Sequence, residues 1–254
     1  MNVFDLVFKL DEVRIGTNSE GNFLEALKYG QMYVIPFSTW KGVFRSVTEM
    51  LEGSQANLDD LLKTIDQLNE TGTGKDPIWR VTEEIERKFP GLGGVLRDVL
   101  NPEETVNKET IREIAEAYLN PVYRLYGHQS FSGALIFSDS VLQGVRGVMT
   151  RTSIDRKTGK AKEDMLFSEE VVYPGNVRVR VVLHDVPDFA MKAWIGTLKF
   201  MEEVGVGIGS GQSRRSWAVL DDEDSRVARI SLRAILDGGS WVSLRDWLKA
   251  TGKG

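Results

Sequence analysis

The sequence contains no cysteine and only two histidines, His128 and His184. Disulfides, thiolate zinc sites and cysteine nucleophiles are therefore excluded, and two histidines so far apart do not suggest a histidine-rich metal site. Long apolar runs are also missing, since no stretch approaches the roughly 18 apolar residues of a membrane span. The first nine residues lack the basic-then-apolar order of a signal peptide. These absences predict a cytoplasmic protein with no membrane partner, no bound metal and no firm cofactor.

Charges of both signs are present but are unevenly distributed along the 254 residues. The formal net charge of −5 argues, taken alone, against a nucleic-acid partner. Basic residues nevertheless crowd one segment, with only Asp155 among them: Arg146, Arg151, Arg156, Lys157, Lys160 and Lys162. Acidic residues collect elsewhere, at residues 59–70, 83–86 and 221–224. The basic segment either keeps an exposed hairpin soluble or binds an anionic partner.

Hydrophobic periodicity predicts an α+β chain. Strands are predicted at residues 3–10, 135–139, 177–183, 216–220 and 227–235, and a loop at residues 15–22. Helices are predicted at residues 36–51, 58–68, 78–89, 110–119, 189–203 and 241–248. The order strand, helix, strand, then strand, helix, strand is that of a ferredoxin-like (RRM-like) antiparallel sheet with its helices on one side. We therefore predict a single domain over residues 1–254, with residues 52–122 as a helical insertion.

The basic segment itself is predicted to be a long β-hairpin over residues 146–175. Strand-forming residues lie at both ends, while the stretch DRKTGK at residues 155–160 has the composition of a turn. A hairpin of this length extends beyond the core that its own apolar residues can form. Its tip must therefore be solvated or touch another molecule.

Two further segments could bind an anion. The helix predicted from Pro36 can be capped by Ser38 or Thr39, and it carries Lys41 and Arg45 one turn apart near its N-terminus. Near the C-terminus, glycines alternate at positions 205, 207, 209 and 211, with Arg214 and Arg215 directly after them. Backbone amides can approach a phosphate closely at such a loop. The element order, helix before and strand after, does not fit the known nucleotide-binding loops, so a nucleic-acid backbone is the better match.

Catalytic groups are hard to identify in this sequence. The serines lack a base nearby in sequence, and the two histidines are interpreted as ordinary packed or surface residues. Asp139, at the end of a predicted strand, could bind a metal but more often such a residue caps a turn.

Three segments together resemble the RAMP superfamily proteins of CRISPR effector complexes. YVIPFSTWKGVFRSVTE at residues 33–49 is similar to their I-P-x-S-S-L-K-G-x-L-R helix start. NPVYRLYGHQSFSGALIFSDSVL at residues 120–142 is similar to their C-P-x-C-x-L-F-G … L-x-F-S-D-A segment. SIDRKTGKAKEDMLFSEEVVYPG at residues 153–175 is similar to the hairpin of their type III backbone subunits. The glycine-rich loop follows as a fourth element in the same order.

The resemblance implies a subunit that binds guide crRNA, stacks on other subunits of a type III complex, and uses the hairpin as a thumb in the guide–target RNA duplex. The RNA-binding residues that it implies are Ser38, Lys41, Arg45, Arg151, Arg156, Lys157, Gly207, Gly209, Gly211, Ser213 and Arg214. Phosphate contacts would give affinity, and base pairing would give specificity.

Two departures from the family pattern bear on catalysis and on the glycine loop. Backbone subunits that cut target RNA have an Asp in the loop before the helix, and residues 15–36 contain none. Glu20 or Glu25 could substitute, with Mg²⁺ as a possible cofactor, so enzymatic activity stays open. The end of the glycine loop reads SRRSWAV instead of S-R-G-F-G-R-V. Three alternatives remain: a target-RNA endonuclease, a crRNA-processing ribonuclease using His128, and a protein-interaction subunit with weak RNA contacts.

Overall fold

The structure is a computed structural model that describes residues 1–20, 23–51, 63, 78–89, 91–99, 108–154, 161–209, 216–230 and 240–251. It is a mixed α+β protein with antiparallel sheets, as the sequence predicts. Within the described residues, no helix is long and apolar enough to cross a membrane.

The helices and strands of the described residues follow in chain order. The strands are β1 (Asn2–Leu10), β2 (Gly16–Glu20), β3 (Phe23–Ala26), β4 (Lys28–Tyr29), β5 (Met32–Ile35), β6 (Leu135–Phe137), β7 (Ser140–Val141), β8 (Val145–Ile154), β9 (Ala161–Tyr173), β10 (Gly175–Leu183), β11 (Val206–Ile208), β12 (Ser216–Arg229) and β13 (Trp241–Ser243). The helices are α1 (Phe37–Leu51), α2 (Ile78–Lys88), α3 (Leu92–Val99), α4 (Lys108–Leu119), α5 (Pro121–Tyr126), α6 (Asp188–Glu203) and α7 (Leu244–Thr251).

The largest sheet has the strand order β11-β12-β1-β10-β6, and β13 pairs with the far half of β12. β1 lies in the centre and pairs antiparallel with both β10 and β12. Its even-numbered residues Phe4, Leu6, Phe8 and Leu10 are buried, as the alternating pattern predicts. Helix α1 covers this face, since the ring of Phe8 lies 4.9 Å from Trp40 and that of Phe44 lies 5.2 Å from Phe137.

The two strands predicted at residues 216–220 and 227–235 are joined in one strand, β12, which ends at Arg229. Residues 231–235 of the second prediction lie outside the described residues. The register against β1 jumps from Asp221, opposite Val7, to Arg226, opposite Asp5. The extra residues form a local turn, because the Asp221 carboxylate accepts hydrogen bonds from the backbone N–H groups of Glu223 and Asp224, both at 3.1 Å. This bulge lets β12 continue through the acidic residues 221–224, where the sequence pattern predicts a break between two strands.

A second sheet has the order β2-β3-β9-β8. β8 and β9 form an antiparallel ladder, and β3 joins β9 in parallel through Phe23 and Leu24. The predicted loop at residues 15–22 is wrong, since β2 occupies Gly16–Glu20 and pairs with β3. A third, small sheet has the order β4-β5-β7 and leads directly into α1.

The chain divides into two compact units. The first comprises residues 1–47, 136–185 and 195–254, and the second comprises residues 48–135 and 186–194. The second unit is helical in the described residues, with a core that includes Ile85, Leu92, Ile111 and Ile114. The predicted helices at residues 78–89 and 110–119 are confirmed as α2 and α4. The predicted helix at residues 58–68 lies outside the described residues, except for Lys63.

Candidate functional site

The N-terminus of α1 is held by a carboxylate from another part of the chain. The backbone N–H of Phe37 donates to Oδ1 of Asp139 at 2.7 Å. Because α1 begins at Phe37, Ser38 is its second residue and not its cap, and Ser38 is exposed. Asp139 caps the helix, as expected of an aspartate at a strand end. The Pro36 carbonyl accepts from the N–H groups of Thr39 and Trp40. Because these amides and that of Phe37 are already bonded, we expect a phosphate near this helix to be bound mainly by side-chain cations.

Two basic side chains follow along α1. Lys41 and Arg45 are half-buried and lie one turn apart. Trp40 is fully buried and donates its indole N–H to Oγ of Ser140 at 2.9 Å, and this hydroxyl in turn donates to the carbonyl of Arg178. The helix is thus anchored to β7 and β10, which holds Lys41 and Arg45 in a defined place.

The glycine-rich segment differs from the predicted loop in its first half. Gly207 lies inside strand β11, opposite Trp217 of β12. Gly209 follows the strand with φ of +93°, a left-handed conformation that favours glycine. A side chain at this position would meet the carbonyl oxygen of Arg14 at 2.4 Å. The chain therefore approaches residues 14–15 closely here, while Gly211, Ser213 and Arg214 lie outside the described residues.

The basic hairpin is represented by the ladder of β8 and β9. Arg151 lies in β8 opposite Phe167, and its side chain is outside the described part of the structure. Arg156 and Lys157 also lie outside the described residues. What the structure does describe is the base of the hairpin, where two adjacent acidic residues of β9 are buried.

These two acidic residues, Glu169 and Glu170, each have their own basic partner. Glu169 binds Nη1 of Arg14 at 2.5 Å, and Arg14 is 3% exposed. Glu170 accepts from the hydroxyl of Tyr33 at 2.6 Å and from the backbone N–H of Ala26 at 3.1 Å, and it pairs with Lys28 at 3.1 Å. Successive residues of a strand point to opposite faces, so β9 is held from both sides.

The pKa of Glu170 reflects this environment. Burial by itself would raise the pKa of the carboxyl, but the hydrogen bonds from Tyr33, Lys28 and the Ala26 N–H outweigh it and lower the pKa below its usual range. The same interaction raises the pKa of Lys28. Glu170 is therefore held as a carboxylate between donors.

This arrangement predicts a pH dependence of stability. A carboxyl with a depressed pKa in the folded state stabilises the fold above its unfolded pKa of about 4.3, and this contribution is lost as the pH falls through the folded value. We expect Glu170→Gln to lower the free energy of unfolding at pH 7 by about 2 kcal/mol and to flatten its acid dependence below about pH 5. Urea titrations at several pH values measure both, with Glu25→Gln, an exposed carboxylate on β3, as the control. Parallel curves for wild type and Glu170→Gln below pH 5 would contradict this account.

The candidate catalytic residues lie on the β2–β3 hairpin or in the other unit. Glu20 ends β2 and pairs with Phe23, and its side chain is not described. Glu25 is exposed in β3, opposite Asn18. His128 belongs to the helical unit, where its Nδ1 accepts from the Ser130 N–H at 3.3 Å. Among the described residues, no group of three His, Asp or Glu side chains is arranged to hold a metal ion.

The structure brings together two elements that the sequence presents separately. Gly209 lies against Arg14, and Arg14 binds Glu169 at the base of the hairpin. Tyr33, which binds Glu170, stands in the strand that leads into α1. Sequence analysis missed Arg14, Glu169 and Glu170, because charged side chains are expected at the surface. For the two glutamates the signal is their adjacency in SEEVV, residues 168–172, which breaks the alternation of β9.

Comparison with known proteins adds three findings. A model of the RAMP superfamily matches residues 10–215. A chain of the Csm3–Csm4 subcomplex in the type III-A CRISPR-Cas interference complex is similar, at 14% identity and a TM-score of 0.44, over 100% of this chain and 95% of that chain. A chain of a CRISPR RNA-guided surveillance complex, pre-nicking, is similar at 14% identity and a TM-score of 0.49, over 99% of this chain and 87% of that chain. The search of curated proteins gives no match.

Proposed function

Because the chain belongs to the RAMP superfamily, we propose that it is a guide-RNA-binding subunit of a type III CRISPR effector complex in antiviral defence. On this proposal its partners are guide crRNA, target RNA and the other subunits of the complex, and it acts in the cytoplasm. The main sheet is then the ferredoxin-like core, and the β8–β9 hairpin is the thumb that enters the guide–target duplex.

One observation supports this proposal most strongly. Gly209 of the glycine segment lies against Arg14 and Ile15, and Arg14 also binds Glu169 at the base of the hairpin. A guide-binding subunit needs cations and amides for the phosphates of one strand, and a separate element for the paired region. On this proposal Lys41 and Arg45 on α1 supply the cations and the glycine segment supplies backbone amides. Because Gly209 and Glu169 both contact Arg14, the glycine segment and the hairpin are neighbours. The cations and the backbone amides would contact phosphates and not bases, so the subunit can accept guides of any sequence.

A scaffold role is favoured over target cleavage by the composition of the β1–α1 connection. The aspartate that the family resemblance leads us to expect is missing from residues 15–36, and a glutamate is longer by one methylene. Because attack by the 2′-hydroxyl depends on a positioned group, such a shift is costly. We propose that target RNA is bound and organised here but not cut by this subunit.

Cleavage of target RNA by the reconstituted, guide-loaded complex with Mg²⁺ tests the scaffold assignment. We expect Glu20→Ala and Glu25→Ala each to leave the cleavage pattern of wild type unchanged, since no cut depends on this subunit. Binding of target to each variant complex is the control. Regular cuts that one of the two substitutions abolishes would instead make this subunit a nuclease with a displaced carboxylate.

A further inference from the structure

Arg14 is a buried basic residue to which the RNA contacts proposed above assign no role. We infer that Arg14 is a positioning residue: its side chain fixes the base of the β8–β9 hairpin, and its main chain supports the glycine segment. The hairpin and the glycine segment would thereby be held at a fixed distance from each other. The inference rests on the proposed function and adds to it the group that aligns the hairpin with the bound guide.

The side chain of Arg14 reaches β9 directly. Nη1 lies 2.5 Å from Oε2 of Glu169, and Glu12 lies 3.7 Å from the same guanidinium. Arg14 and Glu169 are 3% and 9% exposed, so water competes little for this pair. A guanidinium binds a carboxylate with a defined direction, whereas an apolar contact would permit sliding.

The main chain around Arg14 touches three neighbours. Val13 exchanges two backbone hydrogen bonds with Val172 of β9, at 2.8 and 3.0 Å. The carbonyl of Ile15 accepts from the N–H of Leu27 at 2.6 Å, which connects this segment to the chain after β3. The carbonyl of Arg14 lies where a side chain on Gly209 would stand. The segment from Glu12 to Ile15 therefore joins the hairpin, the β3 region and the glycine segment.

On the side of β9 that faces β3, the backbone pairing is short. The ion pair of Arg14 with Glu169 therefore contributes to holding β9 in place. Among the residues that the structure describes, β3 aligns with β9 at two positions, Phe23 with Ser168 and Leu24 with Glu169. The next backbone pairing of β9 on this side that the structure describes is the bridge between Val13 and Val172. So short a ladder specifies the register weakly. The ion pair of Arg14 with Glu169 adds a directional contact at the end of this ladder, next to Glu170, which Tyr33, Lys28 and the Ala26 N–H hold from the other face.

The inference is tested in the guide-loaded complex by combining Arg14→Met with a shortened hairpin that lacks residues 156–161. In the full-length hairpin, we expect Arg14→Met to weaken target-RNA binding about tenfold and to leave guide binding within about twofold. In the shortened hairpin, Arg14→Met should cause no further loss, because the tip whose placement depends on Arg14 has been removed. Arg14→Lys should restore part of the loss, and Arg112→Met, which removes an exposed ion pair with Glu116, is the matched control.

A double variant, Arg14→Met with Glu169→Met, covers the case in which the single variant fails to fold. Replacing both partners by apolar side chains removes both charges of the buried ion pair together with its directional contact. Equal losses in full-length and shortened hairpins, or equal losses of guide and target binding, would show a general structural role and overturn the inference. Unchanged target binding would overturn it as well. If wild type itself bound no guide, the proposed function would fail instead.

Discussion

Gly209→Ala is expected to reduce guide-RNA binding at least about tenfold in the assembled complex, because the segment after β11 can no longer lie against Arg14. Alanine at φ of +93° is strained, and the left-handed region costs a residue with a side chain about 1–2 kcal/mol. Its Cβ would also stand 2.4 Å from the Arg14 carbonyl oxygen, a backbone atom that cannot turn aside. The glycine segment must then move away from residues 14–15. Filter binding of labelled guide to variant and wild-type complexes measures the effect.

Gly30→Ala is the matched control for this substitution. Gly30 also has a positive φ, of +62°, but a side chain there meets nothing within 4 Å. Alanine at position 30 therefore has the backbone strain of a positive φ without a steric clash with a neighbouring atom. We expect Gly30→Ala to lower thermal stability modestly and to leave guide affinity within about twofold. Equal guide affinities for the Gly209 and Gly30 variants would show that the contact with Arg14 has no part in RNA binding.

Reversing both charges on α1, in Lys41→Glu with Arg45→Glu, is the second change with a large expected effect. The carboxylate of Asp139 already accepts from the first amide of α1. On the proposed function, the guide phosphates near this helix are therefore bound by these two side chains. Losing two phosphate contacts to a single strand should lower the slope of log affinity against log salt by about 1.4. Repulsion by the two new carboxylates should weaken guide binding further at low salt.

The control for charge reversal is Lys192→Glu with Lys199→Glu on α6. Both lysines are exposed, and the variant has the same net charge as the α1 variant. Guide affinity is measured for both from about 50 to 200 mM salt. We expect only the α1 variant to lose slope. The same slope in the α1 variant and in wild type would contradict the assignment of Lys41 and Arg45 to the phosphate backbone.

The parts of the fold that the sequence predicts are those governed by local periodicity. Strands β1 and β10 and helix α1 each bury a regular set of apolar residues, and their positions follow from that pattern. Strand β2 was missed because GTNSE has no such pattern. It forms because β3, itself paired with β9, offers it a backbone partner, which is a tertiary effect.

The sequence predicts those parts of the candidate site whose residues lie close together in the chain. Lys41 and Arg45 are one helical turn apart, and the glycines alternate within a few residues. Arg14 and Glu169 are separated by 155 positions, so no local pattern pairs them. Both are charged residues in strand-like segments, where the usual expectation is exposure. Only the folded chain shows that they meet, and that they meet beside Gly209.

The most direct test of the central claim is photocrosslinking of 4-thiouridine guide RNA in an assembled type III complex that contains this chain. Guide binding by this subunit predicts crosslinked peptides from α1 around Lys41 and Arg45 and from the segment at Gly207 and Gly209, with two guides of unrelated sequence. Crosslinks that reach the other subunits while sparing this chain, for both guides, would contradict the claim.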